Sequence, residues 1–269
     1  MESVDYSGYR NILITREDRI LTLTLNRPDR YNAVNHDLHE ELSQIFADVA
    51  RDDETSVVVL TGAGKAFCAG GDLVAMADHA DAHGSPGYYM SMPSAKRIVF
   101  SLLELEKPII AKINGPCMGL GATIALLCDI TFMADHAKIG DPHVKAGVVA
   151  GDGGAVIWPQ LIGYARAKEL LMTGDPIDAR RAESLGLVNY AVPSQDLDTA
   201  VNTMANKLAA GAQDAIRWSK TVANIGLRQL AHSMMDASIG YEWLTMRSAT
   251  HREAIEAFRA GRQPDFRGL

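Results

Sequence analysis

The sequence predicts an α/β fold, and three observations carry that expectation. Residues 56–62 ("SVVVLTG") are a short, almost wholly apolar run, as in a strand buried on both faces. The order of buried strand, glycine turn and helix occurs twice, at 56–80 and at 109–128. From about 195 to 260 the apolar residues keep a helical period and no strand signal appears.

Each element can be justified in turn. Residues 11–15 and 20–25 ("NILIT", "ILTLTL") alternate or are β-branched and predict two strands joined by a polar turn at Arg16–Arg19. From Asn35 to about Arg51, Leu38, Leu42, Ile45, Phe46 and Val49 form a helical stripe, with Asn35 as N-cap. After the strand at 56–62 and a glycine loop, a helix starts near Asp72. Residues 81–93 ("DAHGSPGYYMSMP"), rich in turn formers and methionines, suggest a loop bordering a pocket. A helix over 94–106 ends at Lys107-Pro108, followed by the strand "IIAKI", a second glycine loop, a helix to Leu127 and the strand "DITFMA". The helical C-terminal part shows one obvious break, at Leu208 to Ala212. The chain thus divides into a core, 1–195, and a helical region, 196–269, whose apolar content requires it to cover the core or a neighbouring subunit.

At 269 residues the chain can bury a full core, and 47% apolar with 22% charged residues is an ordinary globular balance. The net charge of −7, with its cations scattered apart from a modest C-terminal cluster, argues against nucleic acid or an anionic membrane as partner. Cys68, Cys117 and Cys128 lack metal-type spacing and suit reduced thiols in the cytosol. The first twenty residues are polar, and no apolar run approaches spanning length, so a cytoplasmic protein is expected. No metal-ligand spacing and no nucleophile-elbow serine appear.

The chemistry is concentrated in two glycine loops and one later stretch. In "TGAGKAFCAGGD" (61–72) the glycine spacing and the Ala66 after Lys65 exclude a P-loop, and a misplaced third glycine excludes a dinucleotide fingerprint. The second loop, "NGPCMGLGATIALLCD" (114–129), also runs into a helix. Each could be a plain strand-to-helix turn; two backbone N–H sources aimed at one oxygen would instead form an oxyanion hole. The stretch "GDPHVKAGVVAGDGG" (140–154) carries His143 and Asp152, either an acid–base pair or a structural histidine with a turn aspartate. His79 and His83 fall in or before the loop at 81–93, and Met76, Met90 and Met92 suit an adaptable acyl pocket or a core. Glu242, on a long helix, reads as a surface or inter-subunit charge.

Four motifs in order, "LNRPDRYNAVN", "GAGKAFCAGGDL", "INGPCMGLGATIALLCDI" and "LLMTGDPIDARRAESLGLVNYAVP", resemble the enoyl-CoA hydratase/isomerase family, the crotonase superfamily, from about residue 12 to 195. "REAIEAFRAGRQPDF" at 252–266 is similar to the family's C-terminal segment. The resemblance implies a spiral of ββα units followed by trimerisation helices, often doubled to a hexamer. It implies an acyl-CoA substrate with coenzyme A as part of the thioester, and no metal or redox cofactor. By position it places the oxyanion donors on the amides of Gly71 and Leu120. It places coenzyme A contacts on Lys65, Ala69, Asp72 and Leu73, with Arg30, Phe258 and Arg262 as further candidates.

The family's hydratases use two glutamates, and the matching positions here are Thr123 and His143. The pattern "PH…GDG…WP" is also similar to oxocamphor hydrolase, a member of the superfamily that cleaves a β-diketone carbon–carbon bond, although that relative lacks the "AGGD" loop. These departures lead to an expected mechanism in which Asp152 orients His143, which takes a proton from water while charge collects between Gly71 and Leu120. Atypical hydration and carbon–carbon or thioester hydrolysis all fit. The alternatives are a conventional hydratase or isomerase with its acid–base group elsewhere, and a non-catalytic CoA-binding protein.

Overall fold

The structure is a computed structural model and describes residues 4–76 and 92–269; His79, His83 and Met90 lie outside the described residues. Two strands, β1 (Ile12–Glu17) and β2 (Ile20–Leu25), form an antiparallel hairpin in which Glu17 pairs Ile20. The strands run through Arg16 and Glu17, where a turn was expected, because Asp18 takes φ 50° and closes the hairpin with two residues. Four parallel additions follow: β3 (Val57–Gly62), β4 (Ile109–Ile113), β6 (Ile130–Ala134) and β9 (Tyr190–Val192). They complete a six-stranded sheet in the order β1-β2-β3-β4-β6-β9. All six residues of β3 are buried, as its apolar run predicts.

A second, three-stranded sheet joins β5 (Cys117–Met118), β7 (Lys138–Gly140) and β8 (Ile177–Asp178). These strands have two or three residues, too few to show any period, and the sequence did not reveal them. Their role is positional: β5 leads into the second glycine loop, and β7 leads into the turn carrying His143.

Helix α1 (His36–Arg51) starts at Asn35, whose side chain accepts the Leu38 N–H at 3.0 Å. It packs beside α2 (Met92–Glu104) over the main sheet, where Met92 reaches the core as a partly buried side chain. The end of α1 is finished by a distant cation. Lys107 is 4% exposed and donates from Nζ to the carbonyls of Val49 at 2.5 Å, Ala50 at 3.1 Å and Asp52 at 2.6 Å. Lys107→Met should therefore cost about 1–3 kcal/mol, because buried carbonyls lose their donor; urea unfolding at neutral pH measures it.

Helix α3 (Leu120–Leu126) is wholly buried, whereas α4 (Gly154–Thr173) bends at Gly163, whose φ of 75° is not helical. α5 (Ala179–Leu185) completes the core region, and α6 (Leu197–Ala209), α7 (Gln213–Ala223), α8 (Ile225–Met246) and α9 (Ala249–Arg259) follow. The break at 208–212 is present, and two more occur at Asn224 and at Arg247–Ser248. The last break swings α9 back against the turn that carries His143. It was missed because a Ser N-cap, here accepting the His251 N–H at 3.2 Å, leaves the apolar period unbroken. Among the described residues no helix is long and apolar enough to cross a membrane.

Candidate active site

The two glycine loops meet. The backbones of Cys68 and Cys117 pair in an isolated parallel β-bridge, and the Met118 N–H donates to the Cys68 carbonyl at 2.9 Å. Gly70 (φ 89°) and Gly119 (φ 52°) are left-handed at the crossing, where a side chain on Gly70 would lie 3.1 Å from the Met118 oxygen. Val34 braces the first loop, donating to the Gly70 carbonyl at 2.7 Å and accepting from the Asp72 N–H at 3.0 Å. That pairing uses the groups flanking Gly71, and among the described residues the Gly71 N–H has no acceptor. Leu120 opens α3, so its N–H has no intrahelical acceptor either. Gly71 and Leu120 line one cavity of about 280 Å³.

His143 and Asp152 line the same cavity. Gly119 presents its backbone to the imidazole: a side chain there would come within 3.4 Å of the ring's Cε1. The ring is held from both sides. Its Nε2 lies 3.4 Å from Asp152 Oδ2, and its Nδ1 makes a closer contact with Asp141 Oδ1. Asp141 caps the short helical turn Pro142–Ala146 by accepting the His143 N–H, so one carboxylate orients both backbone and ring. Its other oxygen is buried without a partner, pressed where a side chain on residue 154 would sit 2.3 Å away; only glycine fits there.

Burial of His143 works against its charge, yet the Asp141 and Asp152 carboxylates raise its basicity well above the ordinary histidine value. The ring is therefore an imidazolium at neutral pH. Burial also disfavours charge on Asp152, but His143 beside it outweighs that and lowers its pKa, so Asp152 is ionised. The Thr123 hydroxyl reaches Asp152 Oδ1 at 3.4 Å.

Glu242 is not a surface or inter-subunit charge. It is 5% exposed, lines the cavity, and has its pKa pushed up to about 8, first by burial and then by the negative charge of Asp152. The signal was present but unused: Met235, Ser238, Ile239 and Glu242 fall on one buried face of α8, so a carboxylate occupies an apolar stripe. One ligand-type atom from each of His143, Asp152 and Glu242 lies within 4.8 Å of the others. Those three could hold a metal ion, but the imidazolium already supplies a cation beside Asp152.

Residues 15–268 match the sequence model of the enoyl-CoA hydratase/isomerase family. The chain belongs to that family. It is similar to crotonyl-CoA hydratase of Syntrophomonas wolfei, 34% identical over 96% of this chain and 98% of the relative. It is also similar to 1,2-epoxyphenylacetyl-CoA isomerase of Escherichia coli, 35% identical over 96% of this chain and 98% of the relative. In structure it superposes on an enoyl-CoA hydratase/isomerase from Mycobacterium paratuberculosis with a TM-score of 0.86, 33% identity, and coverage of 93% of this chain and 99% of that one. The crotonase fold and an acyl-CoA-processing activity follow from this membership.

Within the enoyl-CoA hydratase/isomerase framework, the expected coenzyme A contacts divide. Ala69, Leu73, Phe258 and Arg262 line the cavity, with Met76 beside them. Arg30 and Lys65 are exposed and stand outside its lining. Asp72 is turned away from it: its carboxylate pairs with Arg27 at 3.0 Å and caps the Ala75 N–H at 3.2 Å. This largely buried ion pair occupies the Asp72 carboxylate. The Arg262 guanidinium is gripped by Glu253, with Nη2 to Oε2 at 3.0 Å.

Proposed function

We propose that this chain adds water to an α,β-unsaturated acyl-CoA, with the thioester oxygen held between the amides of Gly71 and Leu120 and with Asp152 and Glu242 as the working carboxylates. One observation carries the reading: an ionised aspartate and a protonated glutamate come within 4.8 Å of each other and of one buried imidazolium, and all three line the cavity that holds the two amides. Two carboxyl groups driven apart in pKa divide the roles of base and acid. Asp152 takes a proton from water as its oxygen bonds to Cβ, electron density moves to the thioester oxygen, and Glu242 protonates Cα. The proton gained by Asp152 returns to Glu242 through the cluster, which closes the cycle. The imidazolium keeps Asp152 ionised and holds it in place, so the expected role of His143 as the resting base is replaced. The similarity to a crotonyl-CoA hydratase supports this reading.

The test is to follow loss of the conjugated enoyl thioester of crotonyl-CoA and longer homologues, with mass detection of the 3-hydroxyacyl-CoA. Absence of hydration across that panel would overturn the proposal. A second reading, hydrolytic cleavage of a β-oxoacyl-CoA, draws on the imidazolium standing at the position of a family glutamate; release of a free carboxylic acid would select it.

Asp141→Asn tests the electrostatics. Removing the charge beside Nδ1 lowers the His143 pKa, so the alkaline limb of the kcat profile should move to lower pH. At neutral pH kcat should fall about 10–100-fold with KM little changed, the pattern of a positioning residue. Exposed Trp218, Val222, Ile225, Tyr241 and Leu244 on α7 and α8 support assembly of copies through this region, which sedimentation would measure.

A further inference from the structure

The buried acid–base cluster also has the parts of a metal site. His143 Nε2 lies 3.4 Å from Asp152 Oδ2, and a carboxyl oxygen of Glu242 completes a set of three ligand atoms within 4.8 Å of one another. Two ligands in a tetrahedral zinc shell, each about 2.0–2.1 Å from the ion, stand about 3.4 Å apart. The histidine–aspartate edge already has that span. Glu242 is 5% exposed, and among the described residues its carboxyl group makes no hydrogen bond and no ion pair. Closing the shell takes a movement of about 1.5 Å or less, which a long side chain held by no partner can make.

The surroundings of the three ligands suit an ion as well. The ring's Nδ1 is in close contact with Asp141 Oδ1, so Nδ1 carries the hydrogen and Nε2 can offer a lone pair to the cluster. That is the carboxylate–histidine–metal order, in which an outer carboxylate fixes the ring whose far nitrogen binds the ion. Thr123 holds Asp152 by Oδ1 at 3.4 Å and leaves Oδ2 toward the imidazole. All three ligand residues line the cavity, which gives an ion a way in and room for a water as fourth ligand. The ion displaces one proton from Nε2 and one from Glu242. Two protons leave for one dication, so the net charge of the cluster is conserved.

We propose that this cluster binds a divalent transition cation such as zinc through His143 Nε2, Asp152 and Glu242, and that the bound ion blocks hydration by occupying both working carboxylates. One nitrogen with two oxygens favours zinc over magnesium or calcium, which take oxygen ligands. The site stands on geometry; only the block rests on the hydration reading above.

Zinc chloride titrated calorimetrically into the full-length chain should show one tight equivalent, and hydration of crotonyl-CoA should fall along the same curve. Cobalt(II) in its place should give the visible absorption of a tetrahedral site. Glu242→Gln, isosteric with the protonated acid, and Asp152→Asn should each weaken zinc at least about tenfold, as should Asp141→Asn, which loosens the ring from outside the ligand set. Absence of a tight equivalent in the wild type, or unchanged affinity in Glu242→Gln, overturns the site. Zinc that binds here and leaves hydration undiminished overturns the block. A wild type that binds zinc at these residues but hydrates no enoyl-CoA keeps the site and overturns the hydration reading, and the block with it.

Discussion

His143→Ala should lower turnover about 10²–10⁴-fold, because Asp152 loses the cation that keeps it ionised and in place and with it its use as a positioned base. The same change should destabilise the fold by about 3–5 kcal/mol, because it removes the cation between buried carboxylates. The side chain is 17% exposed, and Asp141 and Asp152 beside it are 0% and 3% exposed, so water cannot replace the lost charge. The pH dependence separates this account from simple loss of packing. His143 has a raised folded pKa, so its stabilisation is complete below the ordinary histidine value of 6.5 and disappears as pH rises through the folded value. Asp152 has a lowered folded pKa, so its share is present above 3.8 and is lost as pH falls through the folded value. Denaturant unfolding of both proteins from pH 5 to 10 should show a gap that closes on the alkaline side. A gap independent of pH, or a variant with undiminished kcat, would remove the imidazolium from the mechanism.

Glu242→Gln should have opposite effects on stability and on activity. The glutamate is neutral when folded up to about pH 8 but ionises near 4.5 when unfolded. The unfolded state therefore gains as pH rises from 4.5 to about 8, and the wild type carries a penalty that grows across that window and then levels. Glutamine is isosteric with the protonated acid and cannot ionise. The variant should match the wild type near pH 4.5 and exceed it by a few kcal/mol at pH 8, on the order of 1.4 kcal/mol for each unit between the two pKa values. Its turnover should fall about 10²-fold or more, since it cannot deliver a proton to Cα. A glutamine variant that hydrates as fast as the wild type would exclude Glu242 as the acid; one no more stable at pH 8 would place a charged Glu242 in the cavity. This is the expected trade between a strained functional group and the stability of the fold.

Local pattern was readable where one element satisfied its own rules. The Asn35 cap, the apolar run of β3 and the second strand–turn–helix unit depend on neighbours in the chain, and each is found close to its expected place. The glycines at 70 and 119 signalled tight turns, and the family motifs around them pointed to the amides of Gly71 and Leu120. The roles of acidic residues were not readable in the same way. Asp72 looked available for a ligand and is paired with Arg27, 45 residues away. Glu242 looked like a surface charge and is buried ninety residues beyond Asp152, because α8 packs its Ser238–Glu242 face against the backbone at Gly151. Asp141, two positions before His143, was passed over, although it makes the closer contact with the ring.

By itself the sequence determined the fold class, the family and the positions at which backbone amides and a histidine could gather, since these follow from period, turn chemistry and motif order. Only the tertiary structure decided which carboxyl groups are charged. A proton's affinity depends on burial and on charges a few ångströms away, and those distances are set by packing between segments that the chain order keeps far apart.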